Sequence, residues 1–353
     1  MDVVAINGQT YDLDLVDTCF ANHAAAPQDD SALLERISNA YIKAKAVQKD
    51  LAPIYQATNV WTAICAGPHA EVSAALLRCD IPALQRIYGN FWREPCSFGL
   101  HGLPLDMQQC FFNGGIRREH RMCFVSDMLY RFATWRKRLG ELGKIADAAA
   151  LEAPGISNPY GFYVDGYFAR ICADYQHYYA TAIGELMKVA VPRHVVEVGG
   201  GYGGMAYYLL RDQPGLAYVD LDLPENAALT AYYLIKSLPQ RRIRLFGETM
   251  PDCSVAILPS FEVGHLVTGG TGLVFNSYSL AEMSVETVAA YLAAFARIIA
   301  PGGHFLHLNS GGIADGFPVD YSRFTPLYRK AAPWNFGNNP YTSECEYLYR
   351  KTA

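Results

Sequence analysis

The residues with the clearest chemical content form one run, Glu197-Val198-Gly199-Gly200-Gly201-Tyr202-Gly203-Gly204, at the end of a short apolar stretch. Glycines packed this closely let backbone approach a nucleotide where a Cβ would collide. The spacing Gly199-x-Gly201-x-x-Gly204 also fits a dinucleotide loop, and an acid follows about 20 residues on, as that motif requires. Glu197 separates the two readings. Its carboxylate would repel a pyrophosphate and attract the amino group of a methionine moiety. The loop is therefore read as a seat for S-adenosylmethionine, with Glu197, Gly199, Gly200, Gly201, Tyr202 and Gly203 against the cofactor.

A second acidic pair closes the next apolar run, Asp220-Leu221-Asp222-Leu223-Pro224. A carboxylate at the carboxyl edge of a parallel strand accepts hydrogen bonds from ribose hydroxyls. Both acids fall on one strand face. Asp222 is preferred because it ends the strand beside a proline that can open a helix; for Asp220 a capping role weighs evenly with ligand binding. Leu223 joins the cofactor set. Asn276 and Ser277 end a further strand, where they could hold the methionine part or an acceptor hydroxyl.

Methyl transfer is an in-line displacement, so alignment in a closed site is the protein's main contribution. A hydroxyl is a poor nucleophile at neutral pH and needs a base or a metal ion. Glu282, just after the strand ending at Ser277, is the first candidate base, weighed evenly against a role in shaping its loop. His307 is a second candidate, although a histidine inside a hydrophobic strand is more often a core residue. No histidine or acid spacing suggests a metal site: His304 and His307 face opposite sides of a strand.

The elements that must position these groups follow from periodicity. Leu33, Leu34, Ile37, Ala40, Tyr41 and Ala44 predict a helix from Ser31 to about Ala66, capped by Asp30 or Ser31; further helical tracts run through Val72 to Ile87 and Glu119 to Leu142. The opening residues carry a turn at Asn7-Gly8, and the first 150 residues read as all-α. Ala146 to Gly161 reads as a linker in which Asn158-Pro159-Tyr160-Gly161 is a candidate ordered turn, and Tyr167 to Val191 as an amphipathic helix. Strands then alternate with helices: strands at Val195–Val198, Ala217–Leu221, Gly272–Asn276 and His304–Leu308, helices from Gly204, Pro224 and Ser284. That order predicts a doubly wound α/β fold with a mostly parallel sheet. Residues 1–157 form the expected helical cap, acceptor and candidate dimerisation region, and 158–353 the cofactor domain.

The formal charge of −5 and a chain only 18% charged leave no long basic run for a phosphate backbone, so nucleic acid is excluded as a partner. The Arg117, Arg118 and Arg121 cluster reads as a solvated helix face. Nine cysteines without a C-x-x-C pair read as reduced thiols. No stretch has the length and apolarity of a membrane span, and the opening residues lack a signal-peptide pattern, so a cytoplasmic location is expected.

Four motifs taken together, Val196 to Gly204, Asp222-Leu223-Pro224-Glu225, Asn276 to Met283, and Asn158-Pro159-Tyr160-Gly161 with Asp165-Gly166, resemble the sugar O-methyltransferases of bacterial natural-product and polysaccharide pathways. The resemblance covers roughly residues 158 to 310. It implies a class I methyltransferase sheet whose last, antiparallel strand is Cys345 to Lys351, O-methylation of a sugar or glycosylated small molecule, and acceptor choice encoded in the first 150 residues. Many plant-type small-molecule O-methyltransferases carry a histidine shortly after the fourth strand; the comparable position here is Ala281. N- or C-methylation stays open, because the displacement geometry is shared. A nicotinamide-dependent oxidoreductase and a degenerate binding domain are the remoter alternatives.

Overall fold

The structure, a computed structural model, describes residues 3–6, 9–12, 23–24, 28–100, 118–332 and 344–352. It opens with a hairpin of β1 (Val3–Ile6) and β2 (Gln9–Asp12). The first region is therefore not purely helical; the expected turn at Asn7-Gly8 itself lies outside the described residues. Helices α1 (Ser31–Gln48), α2 (Val60–Ala66), α3 (Ala70–Arg78), α4 (Ile81–Tyr88) and α5 (Arg118–Glu141) follow. The single helix expected from Ser31 to Ala66 is broken after Gln48. Pro53 lacks an N–H and cannot continue an α-helix, and a 3-10 turn over Pro53–Tyr55 redirects the chain. Of the arginine cluster, Arg117 and the side chains of Arg118 and Arg121 lie outside the described residues, as do Cys19, Cys110 and the Cys123 side chain. The described cysteines are free thiols.

The expected linker is packed. A 3-10 turn occupies Ala148–Leu151, and Leu151, Ala153, Asn158 and Tyr160 are buried. The helix expected from Tyr167 is also corrected: β3 (Gly161–Val164) and β4 (Tyr167–Arg170) form a hairpin, and helix α6 spans only Ala173–Leu186. The hairpin turn is Asp165-Gly166, with φ of 51° and 87°. Positive φ at both central residues is what a two-residue turn matching strand twist demands.

The remaining strands are β5 (His194–Val198), β6 (Ala217–Asp222), β7 (Ile243–Leu245), β8 (Val255–Pro259), β9 (Thr271–Ser277), β10 (Ile299–Ser310), β11 (Phe324–Ala331) and β12 (Glu344–Lys351). They form one sheet in the order β11-β12-β10-β9-β5-β6-β8-β7. Strands β5 to β10 run parallel, and β12 pairs antiparallel with both β10 and β11. The sequence reading placed β5, β6, β9, β10 and β12 and left out β7, β8 and β11. The architecture is Rossmann-like and doubly wound, as expected.

Side-chain alternation divides the sheet into two faces. Val195, Tyr218, Leu273 and Phe275 enter one core, which holds α6, α7 (Gly204–Asp212), α8 (Pro224–Ser237) and the N-terminal helices. Val196, Val198, Val219, Leu221 and Val274 enter the other, under α9 (Val285–Ile298). Ser284 caps α9 by accepting from the Thr287 N–H at 3.2 Å. Burying each large apolar side chain contributes about 1.5–3 kcal/mol, and α9 inserts Val288, Tyr291, Leu292 and Phe295 at helical spacing.

The N-terminal helices share the first core with the sheet. Leu34, Ile37, Trp92 and Trp135 belong to the same cluster as Tyr202 and Tyr233. Polar ties reinforce it: Arg36 to Glu248 at 2.6 Å, Lys45 to Glu225 at 3.0 Å and Lys236 to Asp30 at 2.6 Å. Arg170 is buried between the two regions. Rings of Trp92, Tyr202, Tyr208 and Tyr233 surround its guanidinium at 5.2 to 5.7 Å, and no carboxylate pairs with it among the described residues. Aromatic faces stabilise such a cation through their quadrupoles.

Candidate functional site

A cavity of about 470 Å³ opens at the carboxyl ends of β5, β6 and β9, on the face that carries the N-terminal helices. Glu197, Gly199, Gly200, Gly201, Asp222, Leu223 and Ser277 form its floor; Trp61, Ile64 and Leu100 roof it.

The glycine loop is shaped by requirement. Gly199, Gly201 and Gly203 have φ of 76°, 65° and 90°, a region side-chain-bearing residues avoid. A Cβ at Gly199 would overlap the Ser279 side chain, and one at Gly200 would overlap the Asp220 carboxylate. That carboxylate accepts from the Gly200 N–H at 3.2 Å, and Asp222 Oδ2 accepts from the Gly201 N–H, also at 3.2 Å. The two acids of β6 thus brace the loop from below. Only Asp222 reaches the cavity wall. Its Oδ1 also accepts from the Leu223 N–H at 2.7 Å and Asn226 Nδ2 at 3.0 Å.

Three buried carboxylates therefore meet at one place. Glu197 accepts a hydrogen bond from the Tyr218 hydroxyl. Burial pushes its pKa up to about 7 from the ordinary 4.5; the Tyr218 bond opposes the rise and the Asp222 charge adds to it. Burial likewise raises Asp222 and Asp220, and the Asp222 charge raises Asp220 further. Among the described residues no lysine or arginine pairs with any of the three. Buried charge without a partner is costly, so the cluster is poised for a ligand that brings positive charge and hydroxyl donors.

Glu282 also lines the cavity, in the turn Ser279–Glu282. Its Oε2 accepts from the Trp61 indole N–H at 2.7 Å and its backbone carbonyl from Asn59 Nδ2 at 2.9 Å. Burial raises its pKa, with the Trp61 bond opposing. Ser277 Oγ contacts the Tyr175 hydroxyl, and the Tyr278 hydroxyl donates to Glu344 Oε2 at 2.8 Å.

Of the residues singled out in the sequence, Glu197, Gly199, Gly200, Gly201, Asp222, Leu223, Ser277 and Glu282 are brought together on this cavity. Four are not. The Tyr202 side chain turns into the core, where its hydroxyl meets Gln176 and Arg170. Gly203 faces Leu234 and Thr230. Asn276 points to the opposite sheet face: its Nδ2 donates to the Val198 carbonyl at 2.9 Å and to Ser279 Oγ at 2.5 Å, and its Oδ1 accepts from Asn309 at 3.0 Å. It is a buried brace for the turn after β9. His307 shares that face, stacked on Tyr347 with ring centroids 4.5 Å apart, and burial presses its pKa down to about 3. A neutral imidazole inside an aromatic stack cannot serve as base in a cavity across the sheet.

Sequence reading missed Trp61, Ser260, Tyr278 and Glu344, all on the cavity wall; Tyr175, one of the tyrosines of the tract from Tyr167 that could face a ligand, also lines it. Ser260 follows β8, whose apolar run Val255–Pro259 was a usable signal. Tyr278 and Glu344 adjoin segments already named, the motif from Asn276 and the strand placed at Cys345. Among the described residues no group of three or more His, Cys, Asp or Glu side chains is arranged to hold a metal ion, and no helix is long and apolar enough to cross a membrane.

No protein-family model and no curated protein matches the chain. Solved structures similar to it include a protein of Pyrococcus horikoshii OT3 (14% identity over 51% of this chain and 92% of that one, TM-score 0.35). A second comes from work on conversion of a disulfide bond into a thioacetal group during echinomycin biosynthesis (14%, 49% and 80%, TM-score 0.34). A third is the geranyl diphosphate C-methyltransferase of Streptomyces coelicolor A3(2) (13%, 49% and 78%, TM-score 0.34). Scores this low carry no weight for function, which rests on the chain's own site.

Proposed function

We propose that this chain is an S-adenosylmethionine-dependent methyltransferase acting on a hydroxyl of a small molecule, a sugar or glycoside foremost. The observation that carries the proposal is the cluster of Glu197, Asp220 and Asp222 around a glycine loop, buried and without a cationic partner among the described residues. A pyrophosphate would add charge of the same sign. A ligand with a sulfonium, an ammonium and a ribose diol matches the cluster in charge and in donors.

In this reading Glu197 receives the amino group, Asp222 the ribose hydroxyls, and the backbone of Gly199 to Gly201 lies against the ligand. When bound, the cofactor supplies a methyl group activated by a positive sulfur. Leu223, Trp61 and Ile64 exclude water, and the roof built from residues 54–64 and 99–100 acts as the cover expected of the first region. Glu282 and Glu344 are cavity carboxylates outside the cofactor cluster, and so are the groups able to take the acceptor's proton.

Calorimetry with S-adenosylmethionine and with NAD, in separate titrations, tests the assignment. Binding of the first alone, weakened at least tenfold by Asp222→Ala, is the expected result. Uptake of NAD, or an Asp222→Ala variant with unaltered affinity, would overturn it.

A further inference from the structure

The floor of the cavity is negative. Glu197 and Asp222 suit an ammonium, a sulfonium and a ribose, but a methionine moiety also carries a carboxylate, which those acids would repel. That group needs donors or a cation. Arg131, the cation on the cavity wall among the described residues, is committed to Asp127 at 2.9 Å. A different side chain of the same wall, Gln176, has a free donor.

Gln176 stands in the first turn of α6 and is only 7% exposed, on the cavity. Its Oε1 accepts from Arg170 Nη1 at 2.9 Å and from the Tyr202 hydroxyl at 2.8 Å. Arginine can only donate, so the amide oxygen must face the guanidinium and the amide nitrogen must face away from it. Nε2 makes no hydrogen bond to any described residue. The amide lies over Gly204, the first residue of α7, where a Cβ would overlap it. Glycine at that position lets the side chain sit beside the opening turn of a helix whose leading N–H groups lack partners within it and whose dipole favours an anion.

Arg170 stands directly behind this amide. It is 1% exposed; Nη1 donates to Gln176 and Tyr202, while Nε and Nη2 have no hydrogen-bond partner. The surrounding rings stabilise the cation without neutralising it, and a buried charge lacking a counterion is costly. An anion accepting from Gln176 Nε2 would lie one amide away from the guanidinium. A cation on the amide oxygen also polarises the amide, so that its N–H groups donate more strongly. Tyr202 belongs to the glycine loop, and its bond to Oε1 keeps loop and amide in register.

We infer that Gln176 Nε2, together with the leading N–H groups of α7, holds the carboxylate of the cofactor's amino-acid part, and that Arg170 is the positioning residue that fixes the amide and supplies the balancing charge. This rests on the proposed function and adds residues to it. The amino-acid part is gripped as a zwitterion, its ammonium at Glu197 and its carboxylate at Gln176.

The test compares two ligands that differ only in the group at issue, S-adenosylhomocysteine and its decarboxylated form, which keeps the amine, the sulfur and the ribose. Calorimetry on the full chain should show the parent preferring S-adenosylhomocysteine at least tenfold. Gln176→Leu should weaken S-adenosylhomocysteine at least tenfold while the decarboxylated ligand stays within threefold of its parent affinity, and Gln176→Glu should reverse the preference. Arg170→Met should lower the preference severalfold; where that variant does not fold, Arg170→Lys, which keeps the charge and loses the planar fork, is read in its place with the same expectation. The inference is overturned if the parent does not distinguish the two ligands, if Gln176→Leu weakens both equally or discriminates as the parent does, and, for the part given to Arg170, if its folded variant keeps the parent's preference. Failure of the parent to bind either ligand overturns the cofactor assignment instead, so the two failures stay apart.

Discussion

The Trp61 indole N–H donates to Glu282 Oε2 at 2.7 Å, joining a short N-terminal helix to the turn that follows β9. This bond and the Asn59 bond to the Glu282 carbonyl close the roof onto the carboxyl edge of the sheet. A hydrogen bond to a charged group contributes about 1.5–3 kcal/mol. Trp61→Phe keeps most of the apolar surface and removes the donor. Faster amide exchange over residues 60–66 and a five- to tenfold faster cofactor release, about 1 to 1.4 kcal/mol, are expected. Unchanged exchange in that helix would count against the latch.

Proton linkage gives a second prediction. Glu197 titrates near 7 in place of its ordinary 4.5 because it is buried. A bound cation favours the ionised form, so cofactor binding displaces a proton below about pH 7, where the unliganded carboxyl is still protonated; affinity rises with pH towards that value by up to about tenfold per unit and levels off above it. For the unliganded protein the sign is opposite. A raised carboxyl pKa contributes stability that is present below 4.5 and is lost as pH climbs through 7. Calorimetry in buffers of different ionisation enthalpy reads the released proton, and Glu197→Gln should flatten the profile. A parent affinity that does not rise as pH climbs towards about 7 would remove Glu197 from the ligand's surroundings.

Gly199→Ala places a Cβ against the Ser279 side chain at a φ of 76°. Ser279 Oγ is itself held by Asn276 Nδ2 and donates to the Val198 carbonyl at 3.1 Å, so it has little room to yield. A loss of about 1–3 kcal/mol in stability and a cofactor affinity reduced beyond tenfold are expected in thermal melts and titrations. Alanine accepted at this position without either effect would contradict the loop geometry.

His307→Phe should be mild. It removes the 3.1 Å hydrogen bond between His307 Nδ1 and Asn309 Nδ2, at about 1 kcal/mol, but Asn309 keeps its bond to Asn276 at 3.0 Å. A melting temperature within a few degrees of the parent and retained turnover are expected. Abolished turnover with the fold intact would return His307 to the catalytic set.

The parallel strands near the site were readable because strands buried on both faces carry short apolar runs, Val195-Val196 in β5 and Leu273-Val274-Phe275 in β9. The segment from Tyr167 misled because its aromatic residues recur at helical spacing, while the decisive local signal was the Asp165-Gly166 turn, two residues earlier. Asn276 and Ser277 were adjacent in the chain and equally polar, and only the sheet's two faces tell them apart. Trp61 and Glu282 stand 221 positions apart. No periodicity relates such residues, and the same is true of Tyr218, whose bond to Glu197 depends on β5 and β6 being neighbours.

The ring cage around Arg170 takes one wall, Trp92, from the N-terminal region and three, Tyr202, Tyr208 and Tyr233, from the sheet domain. Neither half alone could keep that guanidinium dry. The helices that roof the cavity are thus not an interchangeable attachment: swapping them wholesale for those of another protein would flood the interior with water. A substitution on the roof's inner surface leaves this cage untouched, whereas one at Trp92 opens it.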